Sequence, residues 1–455
     1  MTRRPNILVI LADDMGYGDF SCFNDGASAT PVLDDLVDGG TCLSQHYSAS
    51  PVCAPARASL LTGRYPHRTG AVDTLEARGL DRIRLGDRTI ADLLSGAGYA
   101  TGLVGKWHNG ALDDRYHPNR RGFDEFAGFR GGWSDYWHWF MDRNGAVQPG
   151  DGRYLTDVLT EEAVAFVRRH QHEPFFLHVA YSAPHFPLQA PDDDVAPFRD
   201  RGHTSAVSRL YGMLRTMDRG VGAILDELDG LGLAEDTLVL FSSDNGPQFS
   251  GDGDDSTERF NCGFRGAKLL VYEGGIRLPA VLRWPAGLPA GAHTVDALVH
   301  FTDWLPTLLA AADVRVPDDL ALDGVDVLPL LRQQVGDVPT TRFWQWNRYQ
   351  PVGTCNAAMR DRNWKLVRPA IAEAMEVSPA DLAMDVALKY NPTAIESIVT
   401  DPFPERTVPP PPPAQLFDVA ADPMEEHDLA AAQPARVARM EAELGAWFAD
   451  VTADG

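Results

Sequence analysis

Five short runs that are apolar almost from end to end recur along this chain, separated by longer amphipathic stretches. They are NILVILA (6–12), YATGLVG (99–105), PFFLHVAY (174–181), TLVLFSS (237–243) and PAVLRW (279–284). Between them lie helix-patterned segments such as TIADLLSGAG (89–98), DVLTEEAVAFVRRH (157–170) and AVSRLYGMLRTMDRGVGAILDELDGLG (206–232). A strand without polar alternation buries both its faces, and such strands alternating with helices build a parallel sheet covered on both sides. The expected class is α/β, a large, mostly parallel sheet sandwiched by helices.

After about residue 335 the texture changes, which predicts an α/β domain over 1–335 and a smaller α+β domain over 336–455. FWQWNRY, AAMRDRNWKLVRP and AQLFDVAADP predict short antiparallel strands. SPADLAMDVALKYNP predicts a helix capped by Ser378, with Pro379 in its first turn and Asn391-Pro392 as its stop. Pro409 to Pro413 predict a polyproline II strap, and PARVARMEAELGAWFAD predicts a terminal amphipathic helix.

Composition narrows the function. A net charge of −24 over 455 residues argues against nucleic acid as a partner, since a polyanion needs a basic footprint. An anionic ligand would then need a locally basic site. Five scattered cysteines (Cys22, Cys42, Cys53, Cys262, Cys355) without a CxxC pair suggest neither a disulfide framework nor a zinc knuckle. The run from Ile7 to Ala12 is too short for a secretory core, and no segment reaches the roughly 18 apolar residues of a membrane span. As written, the sequence predicts a soluble cytoplasmic chain without a membrane partner; export of a longer precursor stays open.

Polar residues cluster directly after four of the strand runs. Asp13-Asp14 follow the first, Lys106-Trp107-His108 the second, His185 the third and Asp244-Asn245 the fourth. Ligands of open α/β sheets bind beyond the carboxyl ends of the strands, so the four clusters are expected to share one cleft. Asp13, Asp14, Asp244 and Asn245 offer only oxygen, which suits a hard cation, calcium or magnesium, better than zinc. The competing reading is that they are turn and cap residues. Cys53, in SPVCAPAR, opens a helix-like ASLLTGR stretch with Pro55 and Arg57 close behind. A helix N-terminus beside an arginine attracts anions, yet a lone cysteine there is commonly a buried apolar filler.

CAPAR matches the C-x-P-x-R element of the type I sulfatases, and LLTGR continues their signature. NILVILADDMGYGD, GYATGLVGKWHNG, RGFDEFAGF, SAPHFP, LVLFSSDNGP, FRGAKLLVYEGGIRLP and LFDVAADPMEEHDLA resemble that family's blocks, in its order, over nearly the whole chain. Ala56 departs from the serine that the family often carries. The resemblance implies an alkaline phosphatase-like fold and hydrolysis of a sulfate monoester. It implies that a formylglycine-generating maturation enzyme oxidises Cys53 to Cα-formylglycine, whose hydrate attacks sulfur and then expels sulfate.

By the same resemblance, Asp13, Asp14, Asp244, Asn245 and the modified Cys53 hold calcium, with magnesium the lesser candidate. Arg57 and Lys106 stabilise the diol oxygens, and His108 is the base for the elimination. His185 and Lys268 bind sulfate and protonate the departing alcohol oxygen. Trp133, Tyr136, Trp137 and Trp139, with Trp344 and Trp346, are expected to line a pocket for a small-molecule or, better, a saccharide leaving group; packing between domains is the alternative. Two rival functions carry the same signature or fold: a formylglycine-dependent phosphonate monoester or phosphodiester hydrolase, and an unmatured binding protein.

Overall fold

The structure, a computed structural model, describes residues 4–334 and 338–453; the expected boundary at 335/336 lies outside the described residues. Its strands include β1 (Asn6–Ala12), β2 (Thr41–Tyr47), β3 (Ala100–Lys106), β4 (Glu125–Phe129), β5 (Phe140–Arg143), β6 (Ala146–Pro149), β7 (Phe175–Ala180), β8 (Thr237–Ser243), β9 (Ala280–Arg283) and β10 (His293–His300). These ten form one sheet in the order β10-β2-β9-β8-β1-β7-β3-β4-β5-β6. All run the same way except β5 and β9.

The strand PAVLRW was expected to join the parallel set. It runs antiparallel instead, between β8 and β2. The segment after β8 stays at the carboxyl end of the sheet, so the chain re-enters from that end. This same segment carries Lys268.

β1 explains why the sheet is covered twice. Ile7, Val9 and Leu11 enter one core with Ala56 and Leu60 of helix Cys53–Thr62, Leu94 of helix Ile90–Gly96 and Leu308 of helix Trp304–Ala311. Leu8, Ile10 and Ala12 enter the other with Leu159 and Phe166 of helix Leu155–Arg169 and Leu214 and Val221 of helix Ser205–Gly230. Successive strand residues point to opposite faces, and here both faces are apolar.

Sequence reading missed the edges. β2 and β10 carry many polar residues, and the stretch GFRGGWSDYWHWFMDRNG, from which pocket aromatics were expected, holds β5 and the end of β4. Asn144-Gly145, both at positive φ, make the β5–β6 hairpin turn; that Asn-Gly pair was the available signal.

The second sheet is antiparallel, β11 (Thr341–Gln345), β12 (Ala357–Asp361), β13 (Trp364–Arg368) and β14 (Gln415–Asp418), in sequence order. The terminal helix Pro434–Thr452 packs Met440 and Leu444 against Met359 and Leu366. Between β13 and β14 the chain makes a long excursion containing helix Pro379–Tyr390, where Ser378 Oγ accepts the Asp381 N–H at 3.1 Å, as expected of an N-cap. Pro409 to Pro413 are exposed and belong to no regular element. Trp344, Ala358, Val367 and Phe417 join this sheet to Tyr47, Ile276 and Leu298 of the larger part. Among the described residues no helix is long and apolar enough to cross a membrane.

Candidate active site

The four polar clusters meet where the sequence put them, beyond the carboxyl ends of β1, β3, β7 and β8. Backbone pairing fixes the meeting point: Asp13 N–H donates to the Ala183 carbonyl at 3.1 Å, and Asp244 N–H to the Ala12 carbonyl at 3.2 Å. Asp14 (φ 66°) and His108 (φ 51°) adopt left-handed backbone, costly for residues with a Cβ. Each is held there. Asp14 N–H donates to Asp244 Oδ1 at 3.2 Å, and His108 N–H to the Arg130 carbonyl at 3.1 Å.

Helix Cys53–Thr62 starts at Cys53 itself and is buried along its whole length. A helix buried on every side needs no amphipathic stripe, which is why ASLLTGR reads weakly as a surface helix. Its C-terminus is closed by Gly63 at φ 68°, whose N–H returns to the Ser59 carbonyl at 2.9 Å. Cys53 Sγ, one oxygen each from Asp13 and Asp14, and a His185 ring nitrogen lie within 4.8 Å of one another, all buried.

Three carboxylates and three cations surround this point. Arg57 donates from Nε to Asp244 Oδ2 at 2.9 Å, with Nη2 at 2.7 Å from the same oxygen and 3.9 Å from Asp13 Oδ1. Lys106 Nζ reaches Asp13 Oδ2 at 2.6 Å, and Lys268 Nζ reaches Asp14 Oδ2 at 2.7 Å. His185 Nε2 stands 3.6 Å from that same Asp14 oxygen, while its Nδ1 faces the Phe186 carbonyl at 2.7 Å. Asn245 Nδ2 donates to Asp14 Oδ1 at 2.7 Å. A basic island was expected; the site is instead charge-balanced, because each cation is paired with a carboxylate.

Burial dominates the titration of these groups. It pushes Asp13 up to about 7 despite Lys106. It also works against charge on Asp14, but Lys268, His185 and Lys106 together hold that carboxyl below the usual range. Burial, with Lys106 and Lys389 nearby, holds His108 well below its ordinary value; burial and Lys268 do the same to His185. Both shifts favour the neutral imidazole.

A cleft of about 270 Å³ opens over Cys53, lined among others by His108, His185, Lys268, Trp133 and Phe186. Of the six aromatics expected there, only Trp133 lines it. Tyr136 is buried, with its hydroxyl donating to the His185 carbonyl at 2.9 Å. Trp139 is buried with Nε1 on the Arg153 carbonyl, and Trp137 packs against Tyr154 beside a separate hollow. Trp344 donates to the Ser48 carbonyl at 2.6 Å from within the junction of the two sheets, and Trp346 is buried under Arg348. Large apolar rings are drawn into the core wherever the chain lets them, and Tyr136, Trp139, Trp344 and Trp346 are buried while Trp137 is half-buried.

The residues that replace them were not singled out from sequence. Leu382, Asp385, Val386 and Lys389 of helix Pro379–Tyr390 form one wall, and Glu76, Phe186 and Arg348 complete it. An (i, i+4) apolar pair on an exposed helix face, Leu382 and Val386, was the only signal.

The Sulfatase family model matches residues 5–314, more than half of the chain. The chain belongs to the sulfatase family. The C-terminal model described as "N-sulphoglucosamine sulphohydrolase, C-terminal" matches residues 264–402. Steryl-sulfatase of Mus musculus is 32% identical, covering 80% of this chain and 69% of its own length. N-acetylgalactosamine-6-sulfatase of Sus scrofa is 34% identical, covering 72% of this chain and 66% of its own. The chain thus spans about two thirds of the length of these relatives. Among solved structures, Ps i-CgsB in complex with k-i-k-neocarrahexaose superposes with a TM-score of 0.81 at 31% identity, over 98% of this chain and 93% of that one. The expected family and its fold are borne out, and this sulfatase sits among sulfuric ester hydrolases.

Proposed function

We propose that this sulfatase hydrolyses a saccharide sulfate monoester, using Cys53 matured to Cα-formylglycine and a calcium ion beside it. The observation that carries the reading is the convergence of Cys53, three carboxylates and three cations on one buried cleft floor. An unmodified thiol suits the task poorly. Burial pushes Cys53 up to about 11, so its thiolate is scarce at neutral pH. Because Cys53 is 1% exposed, a maturation enzyme must reach CAPAR before the chain closes around it.

The oxygen donors fit a hard cation. Asp13 Oδ1 and Asn245 Oδ1 are buried without hydrogen-bond partners, and Asp14 and Asp244 stand beside them. Four oxygen-donor side chains converging at one buried point suit calcium better than magnesium, which is held by one or two carboxylates and keeps several of its waters. With carboxylates and cations already balanced, a divalent ion makes the floor positive and attracts an anionic ester. When present, the ion and the hydrated aldehyde supply an acidified attacking oxygen and a clamp for a sulfate oxygen.

The chain's own residues then divide the work. Arg57 and Lys106 hold the carboxylates in place and lend positive potential to the oxygens at position 53. Neutral His108 accepts a proton from that position. Lys268 and His185 face the sulfate from the cleft. Lys268 carries the proton for the departing alcohol, since Asp14 keeps its ammonium charged whereas burial keeps His185 neutral. Trp133 and Phe186, with ring centroids 5.6 Å apart, and Leu382 offer faces for a pyranose ring. The likeness to N-acetylgalactosamine-6-sulfatase and to Ps i-CgsB with its bound oligosaccharide supports a saccharide leaving group.

Mass spectrometry of the peptide spanning Cys53, from protein matured in its own host, tests the nucleophile: the side chain is expected to change from CH2SH to CHO. An unchanged thiol in active protein removes the mechanism. Sulfate and phosphonate esters of one aryl alcohol, assayed side by side, test the chemistry; faster phosphonate turnover overturns the sulfatase assignment of the site.

A further inference from the structure

His108 has a neighbour that the reaction as set out above does not use. Glu76 is 1% exposed and sits in the short turn Glu76–Arg78, which lies far in sequence from the end of any strand. Its Oε1 lies 3.5 Å from His108 Nε2, accepts the Gly132 N–H at 2.5 Å, and accepts Lys389 Nζ from helix Pro379–Tyr390. The same His108 nitrogen lies 3.3 Å from the Thr74 carbonyl oxygen. Both groups facing Nε2 are acceptors only, which holds the ring proton on Nε2. Nδ1 is buried and has no hydrogen-bond partner among the described residues.

The packing allows little else. A Cβ on Gly132 would stand 2.6 Å from His108 Cε1, 2.7 Å from Nε2 and 3.0 Å from Glu76 Oε1. Glycine at 132 lets the backbone press the imidazole edge and the carboxylate together. Lys389 supplies the countercharge that a buried carboxylate needs, and it does so from a helix that also walls the cleft. Other charges on this cluster are Lys106 and Arg57 on the His108 side and Asp81 and Asp385 beside Glu76.

We propose that Glu76 is a positioning residue: with the Thr74 carbonyl it pins the His108 proton on Nε2 and leaves Nδ1 as the proton acceptor, while Lys389 anchors its carboxylate. The proposal rests on His108 being the base. Glu76 also lines the cleft, but in this role it acts through His108 and not on the reacting atoms.

The test uses matured full-length protein and an activated aryl sulfate such as 4-nitrophenyl sulfate. Its leaving group needs no proton, so the base-dependent release of sulfate is expected to limit kcat. Glu76→Gln is expected to lower kcat tenfold or more with KM within twofold, and Glu76→Asp to restore part of it. Nitrogen-15 spectra of histidine-labelled protein, with His108 assigned by its loss in His108→Ala, are expected to show the Nε2-protonated tautomer in the parent and a mixture in Glu76→Gln. A parent ring protonated on Nδ1 overturns the proposal without any Glu76 variant having to fold. So does a Glu76→Gln enzyme with full kcat while His108→Ala is inactive. If His108→Ala keeps full activity, the failure lies in the choice of base instead.

Discussion

Asp13, Asp14 and Asp244 show how closely stability and chemistry are tied at single residues here. Each carboxylate is compensated by one buried cation, so removing a cation leaves an uncompensated charge, an effect worth about 3–5 kcal/mol. Arg57→Met is therefore expected to lower the unfolding free energy by about that amount in urea denaturation. It should also abolish sulfatase activity. A cation bound to the native state alone adds about 2.7 kcal/mol at a hundredfold excess over Kd. Calcium is accordingly expected to raise Tm, and chelation to reverse the rise. Asp13→Asn, which removes one donor oxygen and its charge, should erase the shift; an equal calcium shift in that variant would mean the ion binds elsewhere. The strand-end residues were legible in the sequence because their positions follow from topology. Glu76 was not, since its partners His108 and Lys389 are reached only through folding.

Among elements, helix Pro379–Tyr390 supplies Leu382, Asp385, Val386 and Lys389 to the cleft wall. It lies in the excursion between two neighbouring antiparallel strands that a short hairpin could have joined, and Leu382 remains 54% exposed on it. An apolar side chain left exposed at the mouth of a catalytic cleft has the character of a contact surface. Leu382→Ala with Val386→Ala is expected to raise KM severalfold for a saccharide sulfate while leaving kcat on a small aryl sulfate within twofold. Equal KM changes for both substrates would show that the helix acts only on folding. Sequence placed this helix and its Ser378 cap correctly, because caps and stops are local. Of the aromatics in the GGWSDYWHW stretch, Trp133 lines the cleft as expected but Tyr136, Trp137 and Trp139 do not, because whether a ring faces the core or a cleft depends on tertiary neighbours.

At the scale of the whole molecule, a buried charge cluster seals the junction of the two sheets. Lys365 on β13 contacts Glu273 at 2.8 Å and Glu425 at 2.9 Å, all three fully buried. One lysine cannot compensate two carboxylates equally. Against the cost of burial, Lys365 and Arg277 hold Glu273 down at about 2, whereas burial pushes Glu425 up to about 7. The signs are opposite. The contribution of Glu273 is present above its unfolded value near 4.5 and is lost as pH falls through about 2. That of Glu425 is present below 4.5 and is lost as pH rises through about 7. Stability should therefore decline on both sides, and Glu425→Gln is expected to remove the decline on the alkaline side; a denaturation series across pH that is unchanged by this variant would refute the assignment. The sequence by itself determined the parallel-sheet core, the order of the elements and the strand-end residues that meet at Cys53. These depend on periodicity and on the rule that strand ends share one edge. Tertiary structure alone decided that β9 runs backwards, that most of the aromatics pack inward and that Glu76 meets Lys389. Those outcomes turn on contacts between segments 14 to 313 residues apart, which carry no local pattern.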